Sequence, residues 1–250
     1  MKEYIAASLM ALLAPAAGAQ GDDAGVAPFT AHFQAEWKGI SVGTSDIQLA
    51  QDSEPGHYVY TWTVSARGVF RIAYSDDVVQ KSWMSVSDGQ VRPDRYRARE
   101  GSKTVELNFD WENKRATGVS ETKPVDIALK EGTQDVMSIQ VQVMQDLKRG
   151  VDLPETFHII DKDRVKEFNY TKEGSAKLKT AIGELDTVIV ASRQPGNNRI
   201  LRMWFAPALG YLPVHAERTR DGKIEIAMII RSADHPVAIL TRPGLKSSAK

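Results

Sequence analysis

The stretch VELNFDW, from Val105 to Trp111, alternates apolar and polar side chains, with Glu106, Asn108 and Asp110 between the apolar positions. Because successive side chains of a strand point to opposite faces, this pattern predicts a strand with one buried face. The same alternation recurs in VYTWTVS (59–65) and in KIEIAMIIR (223–231). The chain is therefore predicted to be rich in amphipathic strands.

Short turn sequences separate these strands, and such connections leave no room for crossover helices. The turn spacing predicts about a dozen strands joined as an antiparallel meander. We expect a mainly β fold, either a large curved antiparallel sheet or an open β-barrel. The predicted turns are SDGQ (87–90), EGSK (100–103), ENKR (112–115), KEGS (172–175), QPGNN (194–198) and RDGK (220–223).

One segment in the middle of the chain, GTQDVMSIQVQVMQDLKRG (132–150), has a different period. Thr133 is a candidate N-cap, and Gly150 follows two basic residues at the predicted C-terminal end. The segment predicts a single central amphipathic helix near 134–149, packed on the sheet. The apolar side chains at near-helical spacing are Val136, Ile139, Val143 and Leu147.

The first residues, MKEYIAASLMALLAPAAGA (1–19), are typical of a secretory signal peptide. A lysine precedes an apolar run, and Ala17, Gly18 and Ala19 form a small-x-small cleavage site. The run is too short to span a membrane, and no later segment has the ~20 apolar residues that a transmembrane helix needs. We expect cleavage near Ala19 and a mature chain that is periplasmic or secreted.

The remaining chain divides into a linker (20–28), an antiparallel β domain (29–231) and an extended or disordered C-terminal tail (232–250). The 250 residues contain no cysteine, which excludes disulfides, thiolate metal sites and a lipidated cysteine anchor. The 32 basic residues balance the 32 acidic residues. This balance provides no overall field that would attract nucleic acid or an anionic surface.

Five stretches taken together resemble the bacterial family known as domain of unknown function 3108 (DUF3108). That resemblance implies an exported, mainly antiparallel β protein with no established activity and no assigned catalytic residues. A curved sheet with a helix against it is also similar in outline to the lipoprotein carriers LolA and LolB, a likeness of fold alone. The stretches are WKGISVGTSDIQL (37–49), KSWMSVSDGQVRPDRYRARE (81–100), VELNFDW (105–111), QDVMSIQVQVM (134–144) and RMWFAPALGYLPVHAE (202–217).

A row of arginines in VRPDRYRARE is the clearest cationic feature of the sequence. Arg95, Arg97 and Arg99 fall on one face of a predicted strand, at intervals of about 7 Å. Guanidinium groups bind carboxylates and phosphates in bidentate fashion, so the row is a candidate anion site. The alternative is a solvated face whose arginines pair with acidic side chains on neighbouring strands, such as Glu106.

A second cationic candidate lies in RILRMWFAPALGYLP, where Arg202 and Trp204 share one strand face. An arginine beside a tryptophan can bind an anionic, partly apolar ligand. The alternative is that this segment is only the wall of a β structure, with its bend at Pro207 and Gly210.

The aromatic side chains of the predicted strands, Tyr60, Trp62 and Phe109 among them, either fill a core or line an apolar cavity. The five histidines are far apart, and the sequence has no HExxH, GxSxG, P-loop or GxGxxG motif. No catalytic residue, metal ligand or cofactor is therefore predicted.

The sequence leaves three functions open. The first is a non-catalytic periplasmic binding module for an amphipathic or lipid-like envelope molecule, with the helix as a lid. Tyr60, Trp62 and Phe109 would surround the apolar part, and Arg95, Arg97 or Arg202, the last beside Trp204, would hold an anionic head. The second is an envelope interaction or assembly protein with a solid core and an envelope protein as partner. The third is an enzyme whose groups converge from distant strands.

Overall fold

A computed structural model of the protein describes residues 26–235. Two helices, α1 (Phe70–Ala73) and α2 (Ser138–Arg149), accompany fifteen strands. The strands are β1 (Phe29–Trp37), β2 (Ile40–Gln51), β3 (His57–Ala66), β4 (Val78–Ser87), β5 (Gln90–Glu100), β6 (Lys103–Asp110), β7 (Arg115–Ser120), β8 (Lys123–Ala128), β9 (Gln134–Asp135), β10 (Thr156–Asp161), β11 (Arg164–Thr180), β12 (Gly183–Arg193), β13 (Arg199–Ala206), β14 (Leu212–Arg220) and β15 (Lys223–Asp234).

All fifteen strands belong to one sheet, in the order β8-β7-β6-β5-β4-β3-β2-β1-β15-β14-β13-β12-β11-β10-β9. Every pairing is antiparallel except the two-residue contact of β9 with β10. The first and last strands of the chain lie side by side in the middle of the sheet. Within the described residues the sheet does not close into a barrel, so the curved-sheet form of the predicted fold is confirmed.

The alternation of VELNFDW is reproduced in β6, where Val105, Leu107 and Phe109 are buried and the residues between them are exposed. Strands from both halves of the sheet turn their apolar side chains to one side, which forms a continuous core. Residues of β8 contact β11 from the other half, so the sheet curls strongly around that core.

Five of the six predicted turns connect neighbouring antiparallel strands. The sixth, KEGS at 172–175, is wrong as a turn, because β11 continues through it from Arg164 to Thr180. The register of β11 against β12 shifts between Lys172 and Gly174, which is the mark of a bulge. Gly174 has a φ of +127°, which only glycine adopts readily, so the residue that suggested a turn instead kinks a long strand.

The central helix begins at Ser138, later than the predicted start at 134. Thr133 is not its N-cap, since the Thr133 hydroxyl accepts a hydrogen bond from the Lys130 N–H. The N-cap position is Met137, whose side chain makes no capping bond. The carboxylate of Asp135 instead satisfies free N–H groups at this end, because its Oδ1 accepts those of Met137 (2.7 Å) and Ser138 (2.9 Å). At the other end, Gly150 adopts the left-handed conformation expected of a C-terminal glycine.

The β domain extends slightly beyond its predicted end, since Ser232, Ala233 and Asp234 continue β15 and pair with β1. Strand pairing with β1 explains the difference, because the partner strand supplies hydrogen bonds that the local sequence does not reveal. The predicted signal peptide (1–19), most of the linker and the rest of the tail (236–250) lie outside the described residues.

Helix α2 is held inside the curl of the sheet by polar side chains as well as apolar ones. Strand β6 pairs with β5 only from Arg95 onward, which leaves the backbone of the first β5 residues uncovered on that side. The Gln142 side chain accepts the Val91 N–H at 2.8 Å and donates to the Gly89 carbonyl at 3.1 Å. Gln134 donates to the Val91 carbonyl at 2.8 Å. Two glutamines thus replace a missing neighbour strand.

Substitution of Gln142 by Met tests this arrangement, because Met keeps the volume and removes the hydrogen bonds. The Val91 N–H and the Gly89 carbonyl then lack that partner, which costs about 1–3 kcal/mol for each buried group left unsatisfied. We expect a free energy of unfolding at least about 1 kcal/mol lower in urea titrations. Gln51→Met, at an exposed strand end, is the matched control and should change stability little. Equal effects of the two substitutions would contradict the proposed role of Gln142.

Candidate ligand cavity

A cavity of about 400 Å³ lies between the concave face of the sheet and the segment that leads into α2. Its walls come from both halves of the sheet, because the curl brings the two halves opposite one another. The helix fills the remainder of the concave space, with nine of its side chains buried. The apolar lining includes Phe33, Ile47, Trp62, Val136, Met203 and Met228.

Charged side chains line one end of the cavity. They belong to residues at or near the β5–β6, β7–β8, β10–β11 and β14–β15 turns, which an antiparallel meander places at the same end of the sheet. The cavity therefore has an apolar interior and a charged mouth. The mouth residues are Arg99, Glu100, Lys103, Glu121, Asp161, Lys162 and Arg218.

The polar groups inside the cavity are largely bonded to one another. The Tyr60 hydroxyl donates to Gln140 Oε1 at 2.9 Å, and the Tyr96 hydroxyl donates to Gln80 Oε1 at 3.0 Å. Burial raises the pKa of both tyrosines well above the ordinary value, so both stay neutral hydrogen-bond donors. The interior therefore offers a mainly apolar surface to a ligand.

Of the three predicted aromatic residues, Trp62 lines the cavity. Its indole N–H donates to the Ser45 hydroxyl at 2.6 Å, which fixes the ring against the wall. Tyr60 lies deeper and touches the cavity through its partner Gln140, while Phe109 packs in the core. The structure thus brings Trp62 and Tyr60 to one region and places Phe109 elsewhere.

Arg95 and Arg97 of the predicted row lie on the convex face of the sheet, because Tyr96 and Ala98, which alternate with them, face the cavity. Arg99, at the end of the row, lines the mouth of the cavity. The Arg95 guanidinium stacks on the Trp83 ring, with Cζ 3.9 Å from its centroid. Arg97 lies 3.6 Å from Glu106 on β6. Arg95 and Arg97 therefore match the alternative prediction of a solvated face on which the arginines have partners. The sheet separates both of them from Trp62.

Arg202 and Trp204 also lie on the convex face, since Met203 between them lines the cavity. Arg202 Nε donates to Glu173 Oε2 at 2.7 Å, and the bulge in β11 presents that carboxylate. The Trp204 ring packs edge-on against His215, with centroids 4.7 Å apart. Each side chain already has a partner from a neighbouring strand, so the predicted headgroup residues are not gathered at the cavity.

Asp135 is a fully buried carboxylate beside the cavity wall. Its Oδ2 accepts the Ser82 hydroxyl at 2.6 Å, and its Oδ1 caps α2. Desolvation raises the pKa of this carboxyl to about 6, while the hydrogen bonds that it accepts act in the opposite direction. Since both oxygens are engaged and the residue does not line the cavity, its role is to anchor α2 to β4.

Several cavity residues were missed by the sequence analysis. Gln80 and Gln140 sit among alternating or helical patterns as ordinary polar positions, and only the curl of the sheet turns them inward. Arg218 is followed closely by Arg220 and Glu225 across a predicted turn, a local signal that could have been used. Met203 lies on the strand face opposite to Arg202 and Trp204, where no cavity was predicted.

The chain belongs to the family described as "Protein of unknown function (DUF3108)", whose profile matches residues 31–228. The family resemblance seen in the sequence is therefore confirmed. No curated protein matches the chain.

Three solved structures are similar to the chain at low identity. MucB is 10% identical with a TM-score of 0.33, and the match covers 86% of this chain and 55% of the MucB chain. This chain therefore spans about half the length of MucB. A protein from Bacteroides fragilis, described as exported and with a YmcC-like fold, is 10% identical with a TM-score of 0.40 and coverages of 82% and 95%. A protein from Parabacteroides distasonis, described as a lipoprotein, is 9% identical with a TM-score of 0.34 and coverages of 83% and 95%.

Two further observations apply to the part of the chain that the structure describes. Residues 26–235 contain no group of three or more His, Asp or Glu side chains placed to hold a metal ion. Neither α1 nor α2 has the length and apolarity needed to cross a membrane.

The raised pKa of Asp135 gives a test of its burial. A carboxyl whose pKa rises from 3.8 to about 6 on folding binds more protons in the folded state. Its protonated form therefore favours folding below about pH 4, and that contribution is lost as the pH rises through about 6. Asp135→Asn keeps the cap and cannot ionise. Relative to wild type, the variant should gain up to about 3 kcal/mol of unfolding free energy between pH 4 and pH 7.

Urea titrations at several pH values measure this difference. A stability difference between wild type and Asp135→Asn that stays constant from pH 4 to pH 7 would show that the carboxyl is not buried as the structure places it.

Proposed function

We propose that this protein is a non-catalytic binding module of the bacterial cell envelope that takes up an amphipathic, lipid-like molecule. The observation that carries the proposal is the open cavity of about 400 Å³ inside the curl of the sheet. Protein interiors are normally packed to the density of organic crystals, so an apolar space of this size with an open end favours a ligand site over a filled core.

The cavity suits an acyl chain or a comparable apolar group. Its volume lies at the lower end of the range for small-molecule sites, and Trp62, Met203 and Met228 give it an apolar wall. Methionine side chains adapt to irregular ligands because they are unbranched and flexible. The polar groups nearby are already paired, so binding an apolar chain leaves few of them without partners.

The N-terminal sequence supports a location outside the cytoplasm. Residues 1–19 have the charge, apolar run and cleavage site of a secretory signal. We propose cleavage near Ala19 and a mature chain that acts in the periplasm or the medium, with an envelope lipid or glycolipid as its ligand.

A second function, binding of an envelope protein, is favoured by one surface feature. The segment around α1 exposes Val69, Ile72 and Tyr74, with relative exposures of 74%, 86% and 68%. Exposed apolar groups that cluster in this way are common at interaction sites. The two functions are compatible, since this segment lies over a depression that shares Val78 and Lys103 with the cavity.

Filling the cavity tests the proposed function. Ala98 lines the cavity from β5, so Ala98→Trp places an indole in the space that a ligand would occupy. We expect wild type to bind the methyl ester of cis-parinaric acid, a fluorescent apolar chain, with an affinity at least about tenfold higher than that of the variant. Fluorescence titration of the ester into each protein measures the effect.

Arg97→Trp is the matched control. Arg97 is adjacent to Ala98 in β5, and its side chain lies on the opposite face of the sheet. Circular dichroism and thermal unfolding show whether each variant is folded. Equal affinities for Ala98→Trp, Arg97→Trp and wild type would place the ester outside the cavity and refute the proposed site.

A further inference from the structure

Three arginines share one carboxylate at the end of the β13–β14–β15 segment of the sheet. Nε atoms of Arg199, Arg218 and Arg220 lie 3.4, 3.6 and 3.3 Å from the carboxylate oxygens of Glu225. The guanidinium side chains are partly exposed, at 41–43%, while Glu225 is only 19% exposed. These four residues are called the arginine cluster below.

The strand register places the three arginines of the cluster on the concave side of the sheet. Arg199 lies opposite Arg220, and Leu201 lies opposite Arg218, across the β13–β14 pair. Since residues two apart on a strand share a face, Arg199 lies on the same face as Leu201, a cavity-lining residue. Arg218 itself lines the cavity. Arg220 and Glu225 line a neighbouring depression at the same end of the sheet, so the cluster adjoins the mouth of the cavity through Arg218.

An extra residue in β15 places the carboxylate among the arginines. Arg218 pairs with Ile226 while the next residue of β14, Thr219, pairs with Ile224, so Glu225 is the additional residue of a bulge. A bulge changes the direction of a side chain, and this one directs the Glu225 carboxylate toward the three arginines.

One carboxylate cannot satisfy three guanidinium groups. Three positive charges against one negative charge leave two positive charges in excess within the cluster. The separations are long for charge-assisted hydrogen bonds, and Nε of Arg199, Nε of Arg218 and Oε2 of Glu225 are buried without a hydrogen-bond partner. The cluster therefore has positive charge without a counter-charge, and a second anion would neutralise part of it.

We propose that the arginine cluster binds the anionic head group, a carboxylate or a phosphate, of the molecule whose apolar chain occupies the cavity. This inference rests on the proposed function and names the ligand class: an anionic amphiphile. Guanidinium groups bind such oxygen anions with two parallel hydrogen bonds. The convex-face arginines predicted from the sequence do not compete for this role, because Arg97 and Arg202 are paired with carboxylates.

A pair of probes with the same chain separates the head group from the chain. cis-Parinaric acid carries a carboxylate, and its methyl ester does not. The double variant Arg218→Gln/Arg220→Gln leaves Arg199 and Glu225 as a balanced pair. We expect its affinity for the acid to fall about tenfold or more, with its affinity for the ester changed less than about twofold.

Two further variants are expected to raise the affinity for the acid in one case and to leave it unchanged in the other. Glu225→Gln removes the competing carboxylate, so affinity for the acid should increase while that for the ester stays the same. Arg95→Gln/Arg97→Gln removes the same charge from the convex face and should leave the affinity for both probes near wild type. All titrations are made at one ionic strength, because screening weakens charge effects.

Competition identifies the form in which the anion is recognised. Hexadecyl phosphate should displace cis-parinaric acid, while inorganic phosphate at the same concentration should not. Displacement by inorganic phosphate to the same extent would show a site for free anions and overturn the head-group inference.

The outcomes distinguish the two proposals. If wild type binds the ester but the double variant keeps full affinity for the acid, or loses both probes equally, the head-group inference is wrong and the cavity remains a ligand site. If wild type binds neither probe, the proposed function fails and the head-group inference fails with it.

Discussion

The uncovered edge at the start of β5 is the constraint on which the rest of the structure depends. A buried backbone group without a partner is costly, and β6 does not reach Val91. Gln134 and Gln142 supply the missing hydrogen bonds, and Asp135 fixes the entry to α2 through Ser82. These contacts hold the helix against β4 and β5, and the cavity is the part of the concave space that the helix leaves unfilled.

Apolar and charged parts of the candidate site have different origins. The cavity results from the curl of the sheet and the position of α2, and its wall is contributed by many strands. The arginine cluster results from one irregularity, the extra residue Glu225 in β15. Arg97 and Arg202 on the convex face are each paired with one carboxylate, whereas the three arginines of the cluster share one acid. This excess of positive charge distinguishes the cluster from those surface ion pairs.

Local patterns in the sequence predicted strands, turns and the central helix because those features depend on neighbouring residues. Alternation in VELNFDW identifies β6, and Gly150 identifies the end of α2. The site depends on contacts between distant segments, which local patterns do not contain. Alternation places Arg97 and Ala98 on opposite faces of the strand but does not say which of them faces the core. Glutamines that bond to a strand edge cannot be distinguished in the sequence from glutamines on the surface. The wrong turn at Gly174 has the same cause, since a turn and a bulge both use glycine.

The pairing of β1 with β15 means that the sheet cannot be completed until the last strand of the chain is available. Residues made first and residues made last meet at the centre of the sheet, where Thr30 lies opposite Asp234. Until the C-terminal hairpin is complete, β1 has one free edge, and a free edge is open to pairing with another chain. Non-local pairing of this kind slows folding, so the unfinished sheet needs protection from aggregation for longer than a protein with local contacts. A chain with this topology therefore exposes an unpaired strand edge for as long as its last hairpin is missing.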